Sequence, residues 1–314
     1  MNQHFRFRAS VLLAALATVF ASACTAPRTI TSSGKVTPRG EFKVGGNMAF
    51  NISTSTIGNT GSLLKTAAED AARMDTVRYG KIIDEFQVAA LSYILDPVQQ
   101  STDLYLRYGV VDRVDVGYKY AFGSHVFDAM YQFLGPVGTP ENPGGQSGQT
   151  YGSIGIQYAT QNSKLPNIPY LGDINDLLQF EASRKDIIVP LVFSNSFGPE
   201  EKIGAISYGV VYSHTFMKYA FDPTNIYTGP GSGQVNERLE PLKGFNTKNN
   251  YSAFGIFGNA KLGFKYAYVI PAMSVFYQNY GTYKLLNNQT ASLKGFTVVP
   301  SIGLQFRIPT KRSW

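Results

Sequence analysis

DLYLRYGVVDRVDVGYKYAFG, residues 103–123, is the stretch that decides the fold. Leu104, Leu106, Tyr108 and Val110 alternate with Asp103, Tyr105, Arg107 and Gly109. Past a tight turn at Asp112, Val114, Val116, Tyr118 and Tyr120 alternate with Arg113, Asp115, Gly117 and Lys119. Successive side chains of a strand point to opposite faces, so this is a hairpin with one apolar face and one charged face. In the next stretch, HVFDAMYQFLG (125–135), Phe127, Ala129, Tyr131 and Phe133 alternate with Asp128, Met130 and Gln132. Upstream, EFKVGGNMAFN (41–51) puts Phe42, Val44, Met48 and Phe50 on one face. Segments 151–159, 187–195, 204–216, 251–261, 266–277 and 296–308 repeat the pattern and bring the expected number of strands to ten.

Period two does not say which face is wet. A soluble barrel turns its apolar face inward, whereas a membrane barrel turns it to lipid and fills its interior with polar groups. Three features favour the membrane: strand lengths near the roughly 9 to 11 residues that cross a bilayer, 20 Tyr and 21 Phe of the kind found at membrane interfaces, and small residues at many polar-face positions. Lipid also demands closure, because an open sheet edge would leave unpaired amides. The expectation is an all-β fold: a closed antiparallel up-and-down transmembrane β-barrel occupying residues 40–314. Long connections at 52–102, 160–186, 217–250 and 278–295 would lie outside, with short turns on the periplasmic side. Loop 135–150 is too long for its side, which leaves eight or twelve strands open.

Residues 60–95 break the pattern. Leu64, Ala67, Ala68 and Ala71, then Ile83, Phe86, Ala90 and Ile94, recur at helical spacing, predicting one or two amphipathic helices in the first long loop. Such an insertion is either a plug over the lumen or a surface cap.

The amino terminus has Arg6 and Arg8, an apolar run from Ala9 to about Ala21, and small residues before Cys24, the single cysteine. This is the order of a signal peptide, residues 1–23, and the run is too short to span a bilayer. Ala21-Ser22-Ala23-Cys24 resembles the lipobox of bacterial lipoproteins, with Ala21 where leucine is usual. The resemblance implies acylation at Cys24, the palmitate-bearing first residue of the mature chain. A lone cysteine in an exported chain calls for a role other than a disulfide, and several acyl chains would hold it firmly in a leaflet. Thr25 follows where Asp would suggest inner-membrane retention, leaving the outer membrane open as destination. Residues 24–39, rich in Thr, Ser and Pro, read as a flexible tether. Lipobox, tether and LYLRYGVVDRVDVGYKY-like hairpins together resemble uncharacterised bacterial outer-membrane β-barrel lipoproteins, which implies a fold and an address without an activity.

Charge excludes little beyond nucleic acid. The chain carries 28 Lys and Arg against 21 Asp and Glu, a formal +7, without a basic block. No His, Cys and Asp cluster has metal-ligand spacing, and no cofactor is implied. His125 and His214 fall near the expected outer rim, with Ser124, Ser213 and Asp128 close in sequence, so a rim hydrolase is conceivable; ordinary interface histidines are the simpler reading, and no enzyme is expected. Arg107, Arg113, Asp115, Lys119, Asp128 and Arg307 are expected to face the lumen, as a selectivity set or, more simply, as pairs filling a narrow barrel. The leading expectation is a protein of surface binding, scaffolding or envelope structure with an extracellular or envelope protein partner. A porin-like transporter of small or apolar solutes through a partly plugged lumen is the alternative.

Overall fold

In a computed structural model, the described residues are 28–58, 77–78, 81–121, 123–164, 178–224, 226–228 and 240–310. The signal-like segment, Cys24 and the first part of the expected helical insertion lie outside them. Ten strands form the wall: β1 (Phe42–Ser53), β2 (Gln99–Val111), β3 (Val114–Ala121), β4 (Ser124–Leu134) and β5 (Thr150–Lys164). They continue with β6 (Glu181–Phe197), β7 (Gly204–Phe221), β8 (Phe245–Phe264), β9 (Ala267–Lys284) and β10 (Thr290–Ile308). Each pairs antiparallel with its neighbours in sequence, and β1 closes the barrel on β10, with Phe42 opposite both Tyr108 and Ile308.

The wall is apolar outside and polar inside. Leu104, Phe127, Phe254 and Ile256 are each more than half exposed, whereas Asp103, Asp115, Ser153, Ser207 and Thr297 are buried in the lumen. An apolar belt around the whole circumference exceeds by far what a water-soluble surface carries, and a closed wall leaves no unpaired edge in lipid. This is a membrane barrel.

Three differences from the sequence reading have physical causes. First, β5 to β10 run well beyond the segments that alternation marks. Beyond the belt their outward residues become polar, as at Lys185, Lys218 and Lys248, so the hydrophobic period fades while the hydrogen-bond ladder continues. Second, loop 135–149 sits among the short turns without altering the strand number. It folds over the mouth there: Gln132 donates to the carbonyl of Pro136 (2.9 Å), and the Gly144 amide donates to Glu200 (2.9 Å). Third, residues 28–39 are no loose tether, because Ile30, Lys35, Val36 and Thr37 are buried inside the barrel.

Helix α1 (Lys81–Leu95) follows the first part of the insertion. Ala90, Leu91, Ile94 and Leu95 make its buried face and pack on Phe180, Tyr219, Phe221, Tyr251, Tyr280 and Tyr283, which line the upper lumen. The helix ends at Asp96-Pro97, since the residue before proline resists helical geometry. A small sheet of Val77–Arg78, Ile226–Thr228 and Glu240–Pro241 joins two of the long connections.

Candidate functional site

The candidate site is the lumen, and its occupant is the chain's own segment 28–40. The segment runs lengthwise through the barrel. At one end Arg28 lies under the carboxyl end of α1: its guanidinium pairs with Asp96 and donates to the Leu95 carbonyl (3.3 Å) and to Gln278 (2.9 Å). Midway, Lys119 donates to the Thr29 carbonyl and Asn259 to that of Ser32, both at 3.0 Å. The Gly34 amide donates to Ser194 (3.0 Å) and that of Thr37 to Asp115 (2.7 Å). At the far mouth Lys35 pairs with Glu200, and Gly40 donates to the Gly109 carbonyl (2.7 Å) before β1 begins. Ile30 and Val36 pack with Met130, Ile188, Val192, Val211, Phe257 and Phe276. The segment is therefore anchored by charge at both ends and by apolar contact between them.

The structure divides the charged residues that sequence placed in the lumen. Arg107 is the hub of one group. Its guanidinium forms a two-point contact with Asp115 (3.2 and 2.5 Å) and meets Asp128 at 2.5 Å. Arg107, Gly117 and Asp128 lie in register across β2, β3 and β4. A Cβ on Gly117 would stand 2.6 Å from the Asp128 carboxylate, so the glycine is what lets the arginine reach two strands away. Lys119 approaches Asp103 at 3.8 Å. Arg307, at the short-turn mouth, clamps Glu41 with two contacts of 2.6 Å and holds Glu141 of loop 135–149 at 2.6 Å. Arg113 departs from the set. It occupies the β2–β3 turn with φ of 69° and donates to the Gln132 carbonyl (3.3 Å).

His125 and His214 are both on the outward wall. His125 contacts Tyr118 (2.8 Å) and lies against the Tyr120 ring; His214 contacts Ser252 (2.9 Å) and the ring of Phe216. Asp128 points the other way, to Arg107, so among the described residues no nucleophile, base and orienting acid converge at either histidine. Among the described residues no group of three or more His, Cys, Asp or Glu could hold a metal.

Sequence reasoning missed the residues that close the short-turn mouth. Gly198-Pro199-Glu200-Glu201 looks like a solvated acidic turn, yet both glutamates are buried with positive φ, 55° and 57°. That backbone is costly for residues bearing a Cβ, and it turns both carboxylates inward. Glu200 takes Lys35; Glu201 takes Lys261 (2.9 Å) and Ser194 (3.2 Å). Burial pushes the Glu201 carboxyl up, but Lys261 and Lys43 more than offset it and hold it below the usual range. Glu141 is held down to about 2, chiefly by its hydrogen bond to Arg307. The Arg184 and Asp186 pair on β6 (3.0 Å) was hidden because its segment lies past the apolar alternation.

A cavity of about 40 Å³ remains beside segment 28–40, lined in part by Ile30, Lys43, Tyr105, Arg107 and Lys261. That is room for a few waters and no solute.

The chain matches no protein-family model and no curated protein. Among solved structures it is similar to a major outer membrane protein of Thermus thermophilus (8% identity, TM-score 0.31, covering 85% of this chain and 99% of that one). It is also similar to Neisserial surface protein A (9%, 0.30, 84% and 96%) and to Ail, the attachment invasion locus protein of Yersinia pestis (10%, 0.26, 86% and 99%). At such identities and scores nothing about activity transfers, and the membrane assignment rests on the outward belt.

Proposed function

We propose that this chain is an outer-membrane barrel with an occluded lumen, serving envelope structure or surface binding through its wall and long connections rather than passing solutes. The observation that carries this reading is segment 28–40 inside the barrel, fixed by Arg28 to Asp96 at one end and Lys35 to Glu200 at the other. Helix α1 fills the upper mouth and loop 135–149 covers the lower one. Ten strands leave an interior that side chains and one extended segment fill. The outward histidines give the rim-hydrolase alternative no support.

The reading includes lipid attachment at Cys24 after signal cleavage. Three residues, or four Cα-to-Cα steps, separate Cys24 from Arg28, a reach of at most roughly 14 Å. With segment 28–40 seated, Arg28 stands at the α1 end of the lumen, so acyl chains on a residue within that reach would enter the leaflet on that side.

Conductance across a planar bilayer tests the proposal. Wild-type protein is expected to give no steps above the bare membrane, and deletion of residues 28–37 is expected to open a steady conductance. Ion steps through the wild-type barrel would overturn occlusion and restore the transport reading.

A further inference from the structure

The outer wall carries a charged feature that the occluded lumen does not explain. On β5 to β8 the outward residues change from apolar to polar within a band about two pleats deep: Tyr158 gives way to Thr160, Ile187 to Lys185, Phe216 to Lys218, and Phe254 to Ser252. At or beyond this change lie Lys185, Lys218 and Lys248, all exposed. Lys218 stands directly opposite Lys248, and Lys185 is one pleat away, opposite Phe216. Like charges facing each other across a strand pair destabilise a sheet. Among the described residues none of the three has an ion-pair partner, and the nearest carboxylate on the same face of β6, Glu181, is two pleats beyond Lys185 and opposite Lys164.

The wall is also shaped there. β3 and β4 stop at Ala121 and Ser124, while β5 continues past its last pairing with β4, Ser124 opposite Gln161. This step leaves a groove of about 500 Å³ lined by His125, Thr160, Lys185, Phe216, Lys218 and Lys248. It has the size of a small-ligand site, with an aromatic floor toward the belt and ammonium groups above it.

We infer that this groove binds a phosphate-bearing lipid headgroup of the outer leaflet, with the lysines taking the phosphate and the belt beneath taking the acyl chains. Its height carries the choice of occupant. Long lysine stems reach upward from the end of an apolar surface to the depth at which headgroup phosphates lie. The inference rests on the membrane-barrel reading above.

The full chain is reconstituted in phosphatidylcholine vesicles with and without lipid A, and bound lipid A per barrel is measured after extraction and washing. Three forms are compared: wild type, K185Q/K218Q/K248Q, and K202Q/K265Q, whose changes lie at the opposite mouth. Wild type and the opposite-mouth variant are expected to retain lipid A equally. The groove variant is expected to bind it on the order of 100-fold more weakly. Equal retention by the groove variant, or none by a folded wild type, would overturn the inference. Displacement of lipid A by inorganic phosphate at matched concentration would also overturn it, in favour of a small-anion site. Heat-dependent electrophoretic mobility in plain phosphatidylcholine reports separately whether the barrel forms, so failure of the barrel reading is distinguishable from failure of the groove.

Discussion

Replacing Asp96 by alanine should undock segment 28–40 and α1 together. Asp96 is fully buried and accepts from five side chains: Arg28, Thr297, Asn51 (2.6 Å), Tyr280 (2.8 Å) and Gln278 (3.3 Å). Removing the carboxylate strands the Arg28 guanidinium, which is 7% exposed, and breaking a buried pair in this way costs about 3–5 kcal/mol. The other donors add to the loss in principle, about 1–3 kcal/mol for each left unsatisfied. They share one site, however, and water entering the space would re-satisfy some of them, so the contributions do not sum. Taking about 4 kcal/mol, the undocked population rises nearly a thousandfold. The assay is trypsin cleavage after Arg28 and Lys35 in vesicle-reconstituted protein, titrated with urea and read beside the heat-dependent mobility of the barrel. Asp96→Ala should cleave at much lower urea while the barrel persists. R28M/D96L, which removes both charges and with them the Arg28 cleavage site, should recover most of the resistance at Lys35, the site compared across all three forms. The reasoning is refuted if Asp96→Ala matches wild type, or if the double variant is no better than the single.

Three further outcomes follow from the same geometry. A Cβ on Gly109 would lie 2.0 Å from the Pro38 carbonyl oxygen, where only backbone could yield, so Gly109→Ala should expose Lys35 and Arg39 to trypsin without dissolving the barrel. Because the Glu141 pKa is lowered from 4.5 to about 2 by Arg307, its stabilising contact is complete above about pH 4.5 and is lost as pH falls toward 2; hydrogen exchange in loop 135–149 should accelerate across that interval, and exchange that does not change would contradict the pairing. Ile256, on the lipid face midway along β8, should tolerate leucine, whereas Ile256→Lys should cost about 2–4 kcal/mol, measured as a lower urea midpoint for folding into vesicles.

The strands within the belt were legible because lipid on one side and a packed polar interior on the other impose strict alternation, as at Leu104 to Val110. Strand ends were not, because water and lumen are both compatible with Lys218 or Ser183. The hairpin charges were legible as a lumen set since Arg107, Asp115 and Lys119 share a parity, but parity could not show Arg113 taken up by its turn. Thr, Ser and Pro in residues 28–39 suit an exposed tether and equally suit an extended segment that fits a narrow polar tube. What separates the two is long-range pairing, such as Arg28 with Asp96, and Glu200 turned inward by positive φ. Neither leaves a local signature in the sequence.

Hydrogen exchange of the peptide covering residues 28–41, in the folded protein held in a lipid bilayer, tests the central claim most directly. The amides of Gly34, Val36 and Thr37 each donate to a wall side chain inside the barrel, and that of Gly40 to the Gly109 carbonyl at its mouth. The account predicts protection approaching that of the neighbouring strands. Exchange at the rate of an unstructured peptide would contradict it, showing the segment to be a free tether that does not occupy the lumen.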